Sequence, residues 1–589
     1  MSDNKIIFAA IDVGTSFSGW AFASRTDPDN MPNICVKKWY SAHTAHETEK
    51  TSTCALIRPD GESLEAFGYE AETKYDKLVS EGIHEQYFYF KNFKTDLYGK
   101  YYQPLNTGMT LVDQMGKTLP AINVFSCSIK YLADDMYAQL EQKIAFIRRE
   151  DIRWVITVPA IWTDQAKYLM RESAIKAGIT SDSLIMALEP EAASVYCRQL
   201  DLCVNRESGV KLATLEVGSK YLVLDAGGGT VDLTIHEVAS SKCVKQIVAS
   251  SGNASGGNTV NREFERFLKE AISDEKYKEF KRIQTEDWLC LMGDFEMKKK
   301  SFDPKQDSIA IRFPPSLKDV YKTSKRLSFL TKLGKRKSLK EAVKDTSFGT
   351  DITMKRDKII FKACVFSKFF QHATDKAIKE IKKQLGKLNG DTVSCILMVG
   401  GFSECTLLQQ EVKSSFPFIP VNVPIEASTV VLKGAVVYGN NPPVISERVV
   451  RYTYGVSACD SFIADAHPIE KRLVTDTGVV CKDIFSIHVQ RGELVKTGEP
   501  QREERYYPQY RNQKSVTFDV CASKLPNPRY TTDKDCHIIG KVVIHLSETD
   551  DARRNEVIVS FAFGGTEVLV TAVEKRTGRK VKTNVSFLE

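Results

Sequence analysis

The chain has 589 residues, too many for one hydrophobic core, so two to four domains are expected. Its 42% hydrophobic and 27% charged residues fit a water-soluble globular protein, and no apolar run approaches the roughly 20 residues of a membrane helix. The net charge of +7 comes from one lysine-rich stretch rather than a basic field along the whole chain, which argues against a nucleic-acid binder.

The opening MSDNK is polar and the apolar IIFAAI after it is short, so no secretory signal is expected. From Ile6, IFAAIDVGTSFSGWAFA reads as a strand, a tight turn holding Asp12, Gly14, Thr15 and Ser16, and a second strand. Between Trp20 and about Gly99 the chain is irregular and polar, which predicts loops and short strands inserted after this first hairpin. WVITVPAIW, from Trp154, predicts a buried strand closed by Pro159. TDQAKYLMRESAIKAG predicts a helix with Thr163 or Asp164 as N-cap and Gly178 as C-cap; Ala166, Leu169, Met170, Ala174 and Ala177 share one face. LIMALEPEAASVYC follows as strand, turn and helix, with Pro190 at a favourable first helical position.

The opening pattern then recurs. YLVLDAGGGTVDLTIHEV begins at Tyr221, and Asp12-Val13-Gly14 aligns with Asp225-Ala226-Gly227. One D-x-G-x-T turn occurs in ordinary hairpins; two copies imply two similarly folded lobes, each offering a glycine turn and a carboxylate. Gly14, Gly227, Gly228 and Gly229 remove side-chain bulk, so backbone N–H groups can point at phosphate oxygens, and Thr15, Ser16 and Thr230 add hydroxyl donors. Asp12 and Asp225 stand at strand ends, where they suit magnesium, a hard cation that keeps several of its waters. If the lobes face each other, the turns hold a polyphosphate between them and the carboxylates hold its metal.

Beyond the second hairpin, SGNASGGN leads into the helix NREFERFLKEAI, followed by WLCLMGDFEMKKKSF and a lysine-rich insertion at about 298–345. That insertion reads as a solvated helical segment rather than a nucleic-acid or acidic-lipid patch, because aromatic residues are not interleaved with its lysines. SCILMVGGFSECTLLQQEV predicts a buried strand running through Gly400-Gly401 into a helix, a junction that suits the nucleoside end of a ligand. STVVLKGAVVYG reads as a packed helix and NNPPVISERVVRYTYG as a connector. LVKTGE, SVTFDVCAS, KVVIHLS, VIVSFAF, EVLVTAVEK and KVKTNVSF then predict a β-sandwich. The 14 cysteines are scattered without zinc spacing, which fits a reducing cytoplasm, with the nucleus as the alternative compartment.

DVGTS at Asp12, VITVPAIW at Val155, LEPEAASVYC at Leu188, DAGGGTVDL at Asp225 and VGGFSE at Val399 form an ordered set over nearly the whole chain. In this set the chain resembles the heat shock 70 kDa protein family, in its divergent 12-like branch. The resemblance implies an α/β fold: a two-lobed actin/hexokinase/heat-shock-type ATPase domain with duplicated RNase H-like cores, then a C-terminal β-sandwich. Its boundaries would be 1–215 for the first lobe, 216–441 for the second, 442–452 for a linker and 453–589 for a sandwich without a helical lid.

The resemblance also implies ATP or ADP with magnesium as the ligand. Asp12 and Asp225 would position the metal through water, and Gly14, Thr15 and Ser16 would face Gly227, Gly228, Gly229 and Thr230 across the phosphates. Glu189 would stand near the metal and the attacking water, and Pro159 would relay the nucleotide state to the linker. A lysine at the γ-phosphate is expected in YFYFKNFKTDLYG, with Lys94 favoured over Lys91. Glu296, Lys299 and Lys300 match the adenosine contacts, Gly400 and Gly401 back the nucleoside, and Gly256 and Gly257 join the binding set.

The chain departs from the family pattern at several points. Ser16 and Phe17 replace a threonine and a tyrosine. Phe402 and Glu404 replace a serine and an adenine-stacking arginine, whose loss removes about 1 kcal/mol or more of binding. VISERVVRY replaces the leucine-rich linker, and neither a helical lid nor an acidic tail is expected. Two functions fit: a slowly hydrolysing, chaperone-like ATPase, or a nucleotide-gated scaffold with little turnover. Partners would be extended peptide segments or a protein bound through the sandwich, not nucleic acid. The paired phosphate turns also fit a sugar or polyol kinase, but the β-rich tail has no role there.

Overall fold

Two β-hairpins of the same design begin the two main sheets of the computed structural model, which describes residues 5–25, 31–41, 46–99, 109–200, 203–205, 210–322, 338–440, 444–549, 551–564 and 567–584. β1 (Ile7–Val13) pairs antiparallel with β2 (Phe17–Ser24), and β2 carries β3 (Cys35–Val36) and β4 (Thr51–Ser52) on its other side. The span 20–99, read as loops and short strands, also holds a helix, α1 (Gly68–Ser80). After α2 (Ala121–Lys143), β5 (Ile152–Val158) adds in parallel to β1. α3 (Asp164–Lys176) and β6 (Leu184–Leu188) follow, and α4 (Glu189–Cys197) leaves the end of β6. The resulting order is β6-β5-β1-β2-β3, with every residue of β1 buried, as a strand covered on both faces requires. Thr163 is the N-cap of α3, its hydroxyl accepting from the Ala166 N–H, and Gly178 beyond its end has φ +96°.

The second sheet repeats this order and sense. β7 (Lys220–Ala226), β8 (Val231–Val238) and β9 (Val244–Asn253) are antiparallel neighbours. The helices that follow include α5 (Asn258–Ile272), α6 (Thr285–Lys300) and α7 (Lys368–Leu385). β10 (Ile396–Val399) then adds in parallel to β7. α8 (Thr406–Ser415), β11 (Val421–Asn422) and α9 (Val430–Asn440) complete the unit. The described part of the lysine-rich insertion contains the end of α6, a strand Ser308–Arg312 and a helix Pro315–Lys322; residues 323–337 lie outside the described residues.

α4 and α9 cross in an apolar layer between the two sheets, with Phe8, Val155, Tyr221, Val223 and Leu397 packed around them. The crossing is tight at Gly434, where an added Cβ would stand 1.9 Å from the Ala192 carbonyl oxygen. This layer brings the ends of β1 and β7 to the same level.

The segment read as a connector is a strand. β12 (Ile445–Val449) lies parallel to β9, while 441–443, near the start of that segment, are outside the described residues. The C-terminal strands are β13 (Thr453–Ser461), β14 (Arg472–Thr475), β15 (Gly478–Val489), β16 (Leu494–Lys496), β17 (Pro500–Tyr506), β18 (Ser515–Ser523), β19 (Cys536–His545), β20 (Val557–Gly564), β21 (Glu567–Glu574) and β22 (Lys580–Asn584). β16 pairs with β12, so the second sheet runs β11-β10-β7-β8-β9-β12-β16. The remaining strands form two sheets, β14-β15-β13-β18-β19 and β17-β20-β21-β22, which share a core of Val456, Val520, Val542, Val559, Phe561 and Val570. The protein is thus mixed α/β. No helix among the described residues is long and apolar enough to cross a membrane.

Candidate functional site

The turn after β1 and the turn after β7 open onto one cavity of about 450 Å³, within the range of small-molecule sites. Gly14, Thr15 and Ser16 line it from one side and Gly227, Gly228, Gly229 and Thr230 from the other. The two turns touch: a Cβ on Gly228 would lie 2.2 Å from Ser16 Oγ, and one on Gly229 would lie 2.4 Å from Thr15 Oγ1. A side chain at either position would occupy the space between the hydroxyls.

α5 braces the second turn. The N–H groups of Gly257 and Asn258 donate to the carbonyls of Gly227 (3.0 Å) and Gly228 (2.7 Å), and Ser16 Oγ donates to Asn258 Oδ1 at 3.0 Å. The positive end of a 15-residue helix therefore sits at the cleft, where it favours anions. Gly257 lines the cavity. Gly256 packs beneath the turn instead, with its Cβ position 2.5 Å from the Gly227 carbonyl oxygen.

Beside the turns lies a buried group of charges. Asp12 accepts from Lys50 Nζ on Oδ2 at 2.6 Å and from Thr157 Oγ1 on Oδ1 at 2.8 Å. Lys94 Nζ reaches Glu189 Oε1 at 2.7 Å and lies 5.2 Å from the centre of the Trp162 ring. Asp232 faces Asp225 directly across the hairpin and accepts the Ile161 N–H at 2.9 Å, while its Oδ2 is buried without a hydrogen-bond partner. Gly400, at φ +85°, lets the chain run against this group: its Cβ would stand 2.3 Å from Asp225 Oδ1.

These environments push the acids apart. Burial works against the charged form of Asp12, but Lys50 and Lys94 outweigh it and hold Asp12 below the ordinary carboxylate value. Burial raises Glu189, reinforced by Asp12 and only partly offset by Lys94. Burial also lifts Asp225 well above the ordinary range, with Glu189, Asp232 and Asp12 adding like charge. Asp232 is raised to about 7 by burial and by Glu189. Four carboxylates thus face two lysines, a formal excess of two negative charges when all are ionised.

Because the folded-state value of Asp232 is the higher one, its contribution to stability is greatest below about pH 4 and is lost as pH rises through about 7. Asp232→Asn is therefore expected to stabilise the ligand-free protein at pH 8 by on the order of 2 kcal/mol, the weaker Ile161 bond to a neutral amide oxygen offsetting part of the gain. The gain should shrink toward pH 4; thermal unfolding at pH 8 and pH 5 checks it.

The far end of the cavity is built by α6 and by the turn after β10. Lys299 Nζ bonds Glu296 Oε2 (2.6 Å), Asn261 Oδ1 (3.0 Å) and the Gly257 carbonyl (3.3 Å). Burial raises Glu296, but Lys299 and Lys300 outweigh it and leave its carboxyl below the ordinary value. Burial lowers Lys300, whose Nζ sits 3.9 Å from the centre of the Phe17 ring. Gly400, Gly401, Phe402 and Glu404 form the opposite wall; Phe402 is buried, and Glu404 Oε1 accepts the Ser428 N–H at 3.0 Å.

Of the residues predicted to form the site, all but Gly256 line this one cavity. Lys94 lines it; Lys91 turns away to Glu72, 2.9 Å distant. Lys50, Thr48, Glu49, Ser428 and Asp232 were not foreseen. Asp232 had a readable signal: it falls opposite Asp225 in the hairpin register, and like charges there are unfavourable without a purpose. Lys50 had none, lying in HETEKTST, which shows neither strand nor helix periodicity.

The glycine cradle and its hydroxyls fit a polyphosphate. For a cation, the fit depends on the ligand: among the described residues no group of three or more His, Cys, Asp or Glu side chains could hold a metal ion. A magnesium ion here would need phosphate oxygens and water, which is its common habit.

No family model matches the chain. It is similar to Heat shock 70 kDa protein 12B of Homo sapiens, 30% identical over 99% of this chain and 91% of that protein. Heat shock 70 kDa protein 12A of Homo sapiens and that of Mus musculus are each 30% identical, over 99% of this chain and 92% of their own length.

Proposed function

Because this chain belongs to the heat shock 70 kDa protein family, in the branch of proteins 12A and 12B, we propose that its cleft binds ATP with magnesium and hydrolyses it slowly. The single observation that carries this reading is the meeting of two glycine turns over one cavity flanked by carboxylates from both hairpins. In this reading the two sheets are the duplicated cores of a two-lobed actin/hexokinase/heat-shock-type domain. The C-terminal sheets are a sandwich that takes an extended peptide or protein partner.

The turn residues Gly14 to Ser16 and Gly227 to Thr230 hold phosphate oxygens through N–H and hydroxyl donors. Lys94 supplies a fixed positive charge next to Glu189, whose raised pKa suits it to orient and accept a proton from an attacking water. Magnesium, when bound, would neutralise negative charge on the phosphates, and Asp225 would be the residue that holds it, through water. Catalysis here is positioning and electrostatics, without a nucleophilic side chain.

One observation favours the second reading, a nucleotide-gated scaffold with little turnover: Asp12 and Glu189 are each already paired with a lysine. Single-turnover phosphate release separates the two. We expect ATP binding that Asp225→Asn weakens by about tenfold or more, and slow release that Lys94→Met and Glu189→Gln lower by about 100-fold. Binding without measurable release selects the scaffold. Equal binding by wild type and Asp225→Asn, or none by either, contradicts both.

A further inference from the structure

The two hairpins are not equivalent at the position facing the metal-directed aspartate. In the second, Asp225 stands opposite Asp232; in the first, Asp12 stands opposite Gly19. The absent side chain at Gly19 leaves room for the stem of Lys50, whose Cγ would be 3.2 Å from a Cβ on Gly19. Lys50 crosses β2 there and places its ammonium on Asp12 at 2.6 Å, with the two side chains 13% and 6% exposed.

Its backbone is fixed on both sides. The Lys50 carbonyl accepts from Thr48 Oγ1 at 2.7 Å, and Thr51 and Ser52 pair with Ser18 and Phe17 of β2. Just beyond, Thr53 ties down the first glycine turn, its N–H donating to the Ser16 carbonyl and its hydroxyl to that of Gly14, both at 2.9 Å. Lys50 is therefore built into the same frame as the turn and lines the same cavity. With Thr157 on the other oxygen, both oxygens of Asp12 are engaged by protein donors.

We infer that Lys50 is a resident counter-ion which takes the place of a divalent cation at Asp12 and presents its charge to the phosphates, so that this chain binds nucleoside triphosphate without requiring magnesium. The inference rests on the nucleotide reading of the cleft and deepens it. A largely buried lysine ammonium supplies one fixed positive charge where a hydrated cation would supply two, and it cannot be removed by a chelator. Lys94, on the same side of the cleft, adds a second fixed charge. The acidic pair left without a lysine, Asp225 and Asp232, is the half where a cation still improves binding.

The test is calorimetric titration of the full chain with ATP, in magnesium and in EDTA, for wild type, Lys50→Met and Lys50→Arg. Wild type should bind in EDTA within about tenfold of its affinity in magnesium. Lys50→Met should lose about 30-fold or more in EDTA and recover most of it with magnesium, while Lys50→Arg stays near wild type. A second readout needs no nucleotide: Mn²⁺ titration followed by electron paramagnetic resonance should show Lys50→Met binding the ion about tenfold more tightly than wild type, since Asp12 is released. ATP that binds only with magnesium, in wild type and Lys50→Met alike, overturns this inference and leaves the nucleotide reading intact. Failure of ATP to bind in either buffer overturns both. If Lys50→Met does not fold, wild-type binding in EDTA against magnesium decides alone.

Discussion

Replacing Gly229 by valine is expected to abolish nucleotide binding, by about 100-fold or more, while the protein stays folded. A Cβ at Gly229 would stand 2.4 Å from Thr15 Oγ1 and 2.9 Å from Thr15 Cγ2 and Thr95 Cγ2. Valine would wedge the two turns apart at the point where they meet over the cavity. The cost to stability should be about 1–3 kcal/mol, the usual range for overpacking. Gly227→Ala is the matched control within the same turn, because its Cβ would meet only the Thr230 carbonyl oxygen, at 3.5 Å, an ordinary contact. Calorimetric titration with ATP beside thermal unfolding reads both variants. Equal loss of affinity in the two would mean that any change in this turn is harmful, and the steric account would fall.

The second large effect is expected at Arg448, in the strand that joins the second sheet to the C-terminal strands. Its Nη2 lies 2.5 Å from Glu191 Oε2, with Glu191 fully buried and Arg448 nearly so. Arg448→Ala leaves a carboxylate buried in the layer between the sheets, which should cost about 3–5 kcal/mol. Burial already raises Glu191, with Arg448 and Lys167 pulling it down; without the guanidinium it rises further. The deficit should therefore widen as pH rises and narrow as Glu191 takes up a proton. Denaturant titration at two pH values measures this, and Glu191→Leu combined with Arg448→Met should recover most of the loss. The pair also has a positional consequence. Glu191 is on the first turn of α4, two residues after Glu189 in the cleft, and Arg451 Nη1 donates to the Ala160 carbonyl at 2.9 Å, just past Pro159. The chain entering the C-terminal region is thus bonded, through Arg448 in β12 and Arg451 just after it, to both segments that reach the cleft from β5 and β6.

The parts of the site that could be read in the sequence are those with a repeating physical signature. Apolar strands ending in Asp-x-Gly occur twice, and their turns need small residues because they touch each other. The choice between Lys94 and Lys91 needed the structure. Asn92 between them has φ +56°, and this left-handed residue turns the chain so that Lys94 reaches Glu189 in the cavity while Lys91 reaches Glu72 outside it. α1 was missed because GYEAETKYDKLVS buries only Gly68, Ala71 and Tyr75 and opens on a glycine at φ +68°. β12 was missed because only Ile445 and Arg448 are buried in it, and a buried arginine has no place in an alternating apolar pattern. β17, PQREERY, is polar along its length because it is the edge of its sheet, where charge guards against unwanted pairing. Lys50 is placed by its bond to Asp12, 38 residues away, and by the pairing of Thr51 and Ser52 with β2, information that no local window contains.

Hydrogen exchange followed by mass spectrometry tests most directly whether both turns grip one phosphate chain. On addition of ATP, the amides around Gly14–Ser16 and those around Gly227–Thr230 should slow together, at the same ATP concentration. Protection of one turn without the other, or of neither at saturating ATP, would contradict the account.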